Sequence, residues 1–166
     1  MKKVLLGFLI IVACLSITTA CGNKSNSEEN KSSDMTREDI IDELFDINND
    51  LTSLWNNVFV EIRDYAKNGK SSIGTELDID FVVSNMDKYY NKCVDNQKFV
   101  DSLSSDYSDF INAYDKAMEQ AKIIYDNVKK ETPKANSDIS YKSNIDLFQQ
   151  YEGAFYNFVL DAYFEK

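Results

Sequence analysis

DIIDELFDINNDLTSLWNNVFVEIRDY, residues 39–65, decides the fold. Ile40, Leu44, Ile47, Leu51, Leu54, Val58, Ile62 and Tyr65 recur at steps of three and four. Such spacing lines side chains along one face of an α-helix and fits no strand, whose period is two. Thr36 with Asp39 three positions on forms a capping pair for the first turn. Asn68-Gly69 supplies a left-handed stop. The spacing therefore predicts one helix of about 32 residues.

The same period continues downstream. Lys70 to Leu77 reads as the longest irregular connection. A second stripe follows in Val83, Met86, Tyr90, Cys93, Gln97 and Val100, reaching Leu103. Ser102 to Asp106 interrupts it, and Ser104 or Ser105 offers a new cap. Tyr107, Phe110, Tyr114, Ala117, Ala121, Ile124 and Val128 form a third stripe, which stops at Thr132-Pro133 because proline disfavours helical geometry in its neighbour. Beyond Lys134 to Asp138, a fourth runs through Tyr141, Ile145, Phe148, Tyr151, Phe155, Val159 and Ala162. Amphipathic helices joined by short turns bury their stripes as an all-α, antiparallel up-down bundle. The bundle has four helices, or three if the second and third are one bent helix.

Before this domain, residues 22–35 are almost wholly polar and cannot build a core. Fourteen such residues reach roughly 20 Å end to end as a flexible tether. Before the tether come Lys2 and Lys3, an apolar run from Val4 to about Ile17, and Thr18-Thr19-Ala20-Cys21. The run is short of the about 20 apolar residues a spanning helix needs. Charge, apolar core and small residue are the order of a secretory signal.

With a cysteine at the cleavage point, residues 1–25 resemble bacterial lipoprotein precursors, whose lipobox is Leu-Ala/Ser-Gly/Ala-Cys. The resemblance implies removal of residues 1–20, a diacylglyceryl group on the Cys21 thiol, and acylation (palmitate, for example) of the new amino terminus. It further implies a cell-membrane location on the outer face of the cytoplasmic membrane. Two acyl chains suffice for stable anchoring, whereas one binds only reversibly. Thr18 departs from the pattern where an aliphatic residue is usual, and Ile11-Val12-Ala13-Cys14 matches it better letter by letter. Cleavage there would leave a very short apolar core, so Cys21 is the preferred lipidation site. An ordinary signal cut after Ala20 would leave an exposed free thiol, which is unusual in an exported chain. The expected organisation is thus signal peptide 1–20, lipidated Cys21 with tether to residue 35, and helical domain 36–166. Scarce glycine and proline (5 and 1) beside abundant Asn, Lys, Ile and Tyr fit an AT-rich, Gram-positive source.

Composition removes much chemistry. The chain has no histidine, which excludes Ser-His-Asp and Cys-His nucleophiles, His-based zinc sites and the Glu-x-x-His motifs of di-iron bundles. Beyond the signal region only Cys93 remains, so no disulfide framework or Cys-rich metal site is available. Cys93 lies on the second stripe and reads as a small core residue. The net charge is −10, and losing Lys2 and Lys3 would deepen it. Such a surface repels nucleic acid and anionic head groups.

Asp46-Ile47-Asn48-Asn49-Asp50 begins like a calcium loop, but Leu51 replaces the turn glycine and Asn57 the closing glutamate. It reads as a solvated helix face, and Asp78-Ile79-Asp80 as the cap of the second helix. Gly69 and Gly74 are isolated, so no phosphate loop exists. No metal, cofactor or catalytic residue is expected; an enzyme would need paired carboxylates or tyrosines, and no pair stands out.

Aromatic residues are the last unusual feature. Phe155, Tyr156, Phe158, Tyr163 and Phe164 crowd the last helix, with Tyr89-Tyr90 together in the second. They fit either a wide core stripe with tyrosine hydroxyls at its rim or an exposed patch that docks a partner. Phe155, Tyr156 and Tyr89 are the candidate binding residues of the second reading. Trp55 could belong to either. The leading functional expectation is a lipid-anchored module for protein or envelope interaction. A protective lipoprotein (bacteriocin immunity or phage exclusion) and a small-ligand binder are the alternatives. Oligomeric state is open.

Overall fold

The computed structural model describes residues 35–164; the signal, Cys14, Cys21 and the tether up to residue 34 lie outside them. Among the described residues are four long helices and no strand. The first, α1 (37–68), joins an α-segment Arg37–Leu54, a π-turn Trp55–Phe59 and an α-segment Val60–Asn68. The others are α2 (Ile79–Val100), α3 (Ser108–Lys130) and α4 (Lys142–Phe164). α2 and α3 are separate helices, divided by a turn in which Leu103 tucks into the core and Ser105–Tyr107 forms one 3₁₀ turn.

Each helix packs against two others, α1 on α2 and α4, and α3 on α2 and α4, with α3–α4 the most extensive pair. Cross-contacts set the directions. Arg37 at the start of α1 donates to the Ala162 carbonyl near the end of α4 (3.2 Å), while Ser137 N–H, just before α4, donates to Ala66 O near the end of α1 (2.8 Å). Tyr125 meets Asp87 while Gln97 meets Asp115, so α2 and α3 are antiparallel as well. The all-α up-down bundle of four helices is therefore the fold.

Local chemistry explains the boundaries. At the start of α1, Asp39 N–H donates to Thr36 Oγ1 (3.2 Å) and Thr36 N–H to the Asp39 carboxylate (3.0 Å), satisfying donors the first turn leaves free. The Thr36 hydroxyl, which donates to the Asp39 carboxylate at 2.6 Å, and secondarily the Thr36 N–H hold that carboxyl below its ordinary pKa. Asp78 caps α2 by accepting from Phe81 N–H (3.1 Å). Ser104 starts the 3₁₀ turn with its backbone, but neither it nor any other side chain caps that turn or α3, unlike the expected serine cap. Residues 131–141, not 69–78, form the longer connection, because Pro133 ends α3 early and α4 begins only at Lys142.

Gly69 ends α1 at φ 71°, and its N–H donates to Tyr65 O (2.7 Å). A Cβ there would stand 3.2 Å from Ala135 Cβ. Gly69→Ala is expected to cost about 1–2 kcal/mol through the left-handed backbone alone, read as a lower urea midpoint.

The π-turn is the one irregularity inside a helix. Val60 N–H donates to Trp55 O, five residues back. The wider turn brings Leu54, Trp55, Val58 and Phe59 all to the buried side. Phe148 of α4 lies between them, stacked on Trp55 at 6.5 Å and edge-on to Phe59 at 4.8 Å. Beyond the turn the face is rephased: Ala66 is buried, and the predicted Tyr65 is only half-buried. In α2, likewise, Val82 is buried in place of Val83.

Candidate functional site

The aromatic residues do not form one patch. Phe155 is fully buried, with Phe110 edge-on at 6.0 Å and Tyr114 at 5.8 Å. It clamps α3 to α4 and offers no surface to a partner, which corrects its place among the binding candidates. Tyr156, the next residue, points to the other side and is 42% exposed. Tyr89 is half-buried against the core with the Lys88 ammonium 5.3 Å from its ring. Phe155 faces α3 while Tyr156 and Tyr89 stand on different helices, so the three candidates are not brought together. Trp55 is a core residue, with the Arg63 guanidinium 5.2 Å above its ring.

Cys93 is fully buried on the α2 stripe, as its position predicted. Burial, reinforced by the Asp50 carboxylate, pushes its thiol up to about 12, so it is not a thiolate near neutral pH. The Tyr114 hydroxyl, across the α2–α3 seam, donates to the Cys93 carbonyl. The Asp46–Asp50 stretch is helical. Its Asp50 carboxylate accepts from Lys92 (3.0 Å) and Asn96 (3.1 Å), tying α1 to α2. No group of three or more Cys, Asp or Glu residues among the described ones is arranged to hold a metal ion. Asp87, lowered by Lys129 and then Tyr125, likewise serves an α2–α3 link.

What remains lies at one end of the bundle, where α1 stops, α2 starts, and the 131–141 connection crosses to α4. That end lies far from Thr36 at the start of α1, since residues 37–68 span about 48 Å at ~1.5 Å per residue. Two large apolar side chains stand in solvent there: Ile73 is 82% and Phe81 65% exposed. Ile73 projects from a turn closed by Ser71 N–H to Thr75 O (2.9 Å) and by Ser72 N–H to Glu61 (3.0 Å). Phe81 sits in the first turn of α2, beside the stripe residue Val82. Neither was singled out from sequence. The available signal was negative: both are large apolar residues that fall off every helical stripe.

Two clefts open at the same end. The larger, about 640 Å³, runs between α1 and α4 and is lined by Arg63, Asp64, Lys67, Asp138, Lys142 and Asp146 among others. Arg63 is paired with Asp64 at 3.0 Å. The smaller, about 410 Å³, lies between the end of α3 and the start of α4, over Pro133, Ile139 and Tyr141.

No protein-family model, curated protein or solved structure matches the chain. Among the described residues no helix is long and apolar enough to cross a membrane.

Proposed function

We propose that the chain is a lipid-anchored lipoprotein on the outer face of the cytoplasmic membrane, whose helical domain is an interaction module for another protein or envelope component. The lipobox-like Thr18-Thr19-Ala20-Cys21 and the polar tether support the anchor. The observation that carries the interaction reading is the exposure of Ile73 and Phe81 at the end far from Thr36. Side chains of that size lose hydrophobic free energy in water and recover it when a partner covers them.

Each half of the reading has its own measurement. With radiolabelled palmitate, the wild-type chain is expected to take up label and Cys21→Ser to lose it while Cys14→Ser does not. Retention of label by Cys21→Ser would refute that site. In pull-downs from detergent-solubilised envelopes, Ile73→Ser with Phe81→Ser is expected to lose a partner that wild type recovers. Equal recovery by both chains would place the contact elsewhere on the bundle.

A further inference from the structure

Ile73 is held out by an ordered turn. Gly74 N–H donates to Ser71 O (2.9 Å) and Thr75 N–H to Ser71 Oγ (3.0 Å), beside the bond from Ser71 N–H to Thr75 O. Ser71 is buried, and both the N–H and the hydroxyl of Ser72 donate to the Glu61 carboxylate of α1. Gly74 takes a left-handed φ of 82°, which lets so short a turn close. Phe81 starts from an equally ordered backbone, since its N–H is bound by the Asp78 cap. A backbone fixed in advance loses little freedom when a partner closes over it.

The charges around the two residues are of one sign. From Lys70 to Phe81 the chain carries Glu76, Asp78 and Asp80 against Lys70 alone, and all four are exposed. Among the described residues none of these three acids is in an ion pair; Asp78 only caps α2. Lys67 and Lys142, at the same end, line the α1–α4 cleft together with Asp138 and Asp146. Complementary charge sets which partner an interface accepts, and like charges facing one another suppress the wrong ones. A second copy would bring acids against acids, and nucleic acid or anionic head groups would be repelled in the same way.

We propose that Ile73 and Phe81 dock a basic amphipathic segment of another protein. Its apolar side chains cover the two residues, while its Lys or Arg side chains pair with Glu76, Asp78 and Asp80. The inference rests on the reading of this end as the contact surface and adds the chemistry of the partner. A neutral apolar partner would cover Ile73 and Phe81 but leave the acids unmatched, and a merely basic one would leave both apolar side chains in water.

The test is a titration of the full chain, in neutral maltoside micelles, into a fluorescein-labelled Leu-Lys peptide (LKKLLKLLKKLLKL), with empty micelles as blank. Octalysine and the same peptide with Glu in place of Lys are the controls. Saturable binding above the blank is expected for the Leu-Lys peptide alone. Ile73→Ser with Phe81→Ser is expected to weaken it about tenfold or more. Glu76→Gln with Asp80→Asn is expected to weaken it about fivefold and to flatten its decline with added salt. Asp78 stays in place because it caps α2. Only exposed side chains change, so both variants should melt as wild type does. Binding no better than the blank, equal binding of either control, or undiminished binding in either double variant would each overturn the basic amphipathic partner. If Ile73→Ser with Phe81→Ser loses its partner in the pull-down while the peptide fails to bind, only the partner's chemistry falls. If neither measurement responds, the contact surface falls with it.

Discussion

Phe155→Ala is expected to destabilise the domain by about 3–5 kcal/mol, the usual cost of emptying a buried phenylalanine position. The ring is fully enclosed and touches Phe110 and Tyr114 across the α3–α4 seam, the most extensive helix pair in the bundle. Removing it leaves a cavity bounded by aromatic rings of a neighbouring helix, which cannot collapse without shifting α3. Since a domain of this size is stable by only about 5–15 kcal/mol, the variant should sit close to its unfolding transition at physiological temperature. Tyr156→Ala, one residue on, is expected to change stability by no more than about 0.5 kcal/mol. Urea unfolding of the two variants separates core from surface directly, and similar midpoints for both would refute the burial assigned to Phe155. A binding defect of Phe155→Ala would accordingly report unfolding, whereas one of Tyr156→Ala would report a contact.

Alkaline unfolding is the second large effect. Three buried acids hold their protons more tightly in the fold than in the open chain: Cys93, Tyr114 and Tyr141. Burial is the first cause for each. Their folded pKa values are raised, so the stability they contribute is complete below the unfolded values and is lost as pH climbs past them. The unfolded thiol titrates at 9.0 and the phenols at 10.0, while folded Cys93 and Tyr141 wait until about 12 and Tyr114 longer. Each group then removes about 1.4 kcal/mol per pH unit above its unfolded value. By about pH 11 the three together remove on the order of 5 kcal/mol, comparable with the stability of the whole domain. Cys93→Ala is expected to postpone the onset of this loss from about pH 9 to about pH 10. Denaturant midpoints measured across that interval check it, and an unchanged slope would show that Cys93 is not protected by the fold. Without histidine the chain has no side chain whose ordinary pKa falls between about 5 and 8.

Much of the fold was legible because helical periodicity is a local property. The third stripe, Tyr107 to Val128, is buried at every position except its half-buried first residue, Tyr107. In α4, Ile145, Phe148, Phe155 and Val159 of the expected stripe are buried, while Tyr151 and Ala162 are half-buried. Caps were legible where a side chain lies three residues from its donor, as at Thr36 and Asp78. Besides the absent serine cap and the misplaced longest connection, the misreadings were errors of phase. A π-turn widens the helix by one residue, which no spacing rule anticipates, and beyond it Ala66 is buried where Tyr65 was expected. Trp55 and Phe59 of that turn pack against Phe148, a ring far away in the chain.

The candidate surface was less legible. Phe155 and Tyr156 looked alike as neighbouring aromatics, but successive helical residues point about 100° apart, and only packing shows which of them α3 covers. Ile73 and Phe81 carried no positive signal at all, because exposure is a property of what fails to pack against a residue.

By itself the sequence determined the class of fold, the caps at Thr36 and Asp78, and the lack of histidine chemistry. These follow from short-range patterns and from residue types, which need no knowledge of neighbours. The tertiary structure alone decided which aromatic rings are core, that Ile73 and Phe81 stand exposed at the end where α1 stops and α2 starts, and that the Tyr141 hydroxyl is buried without a partner. Burial and hydrogen-bond satisfaction depend on atoms brought together from distant parts of the chain, and no local pattern encodes them.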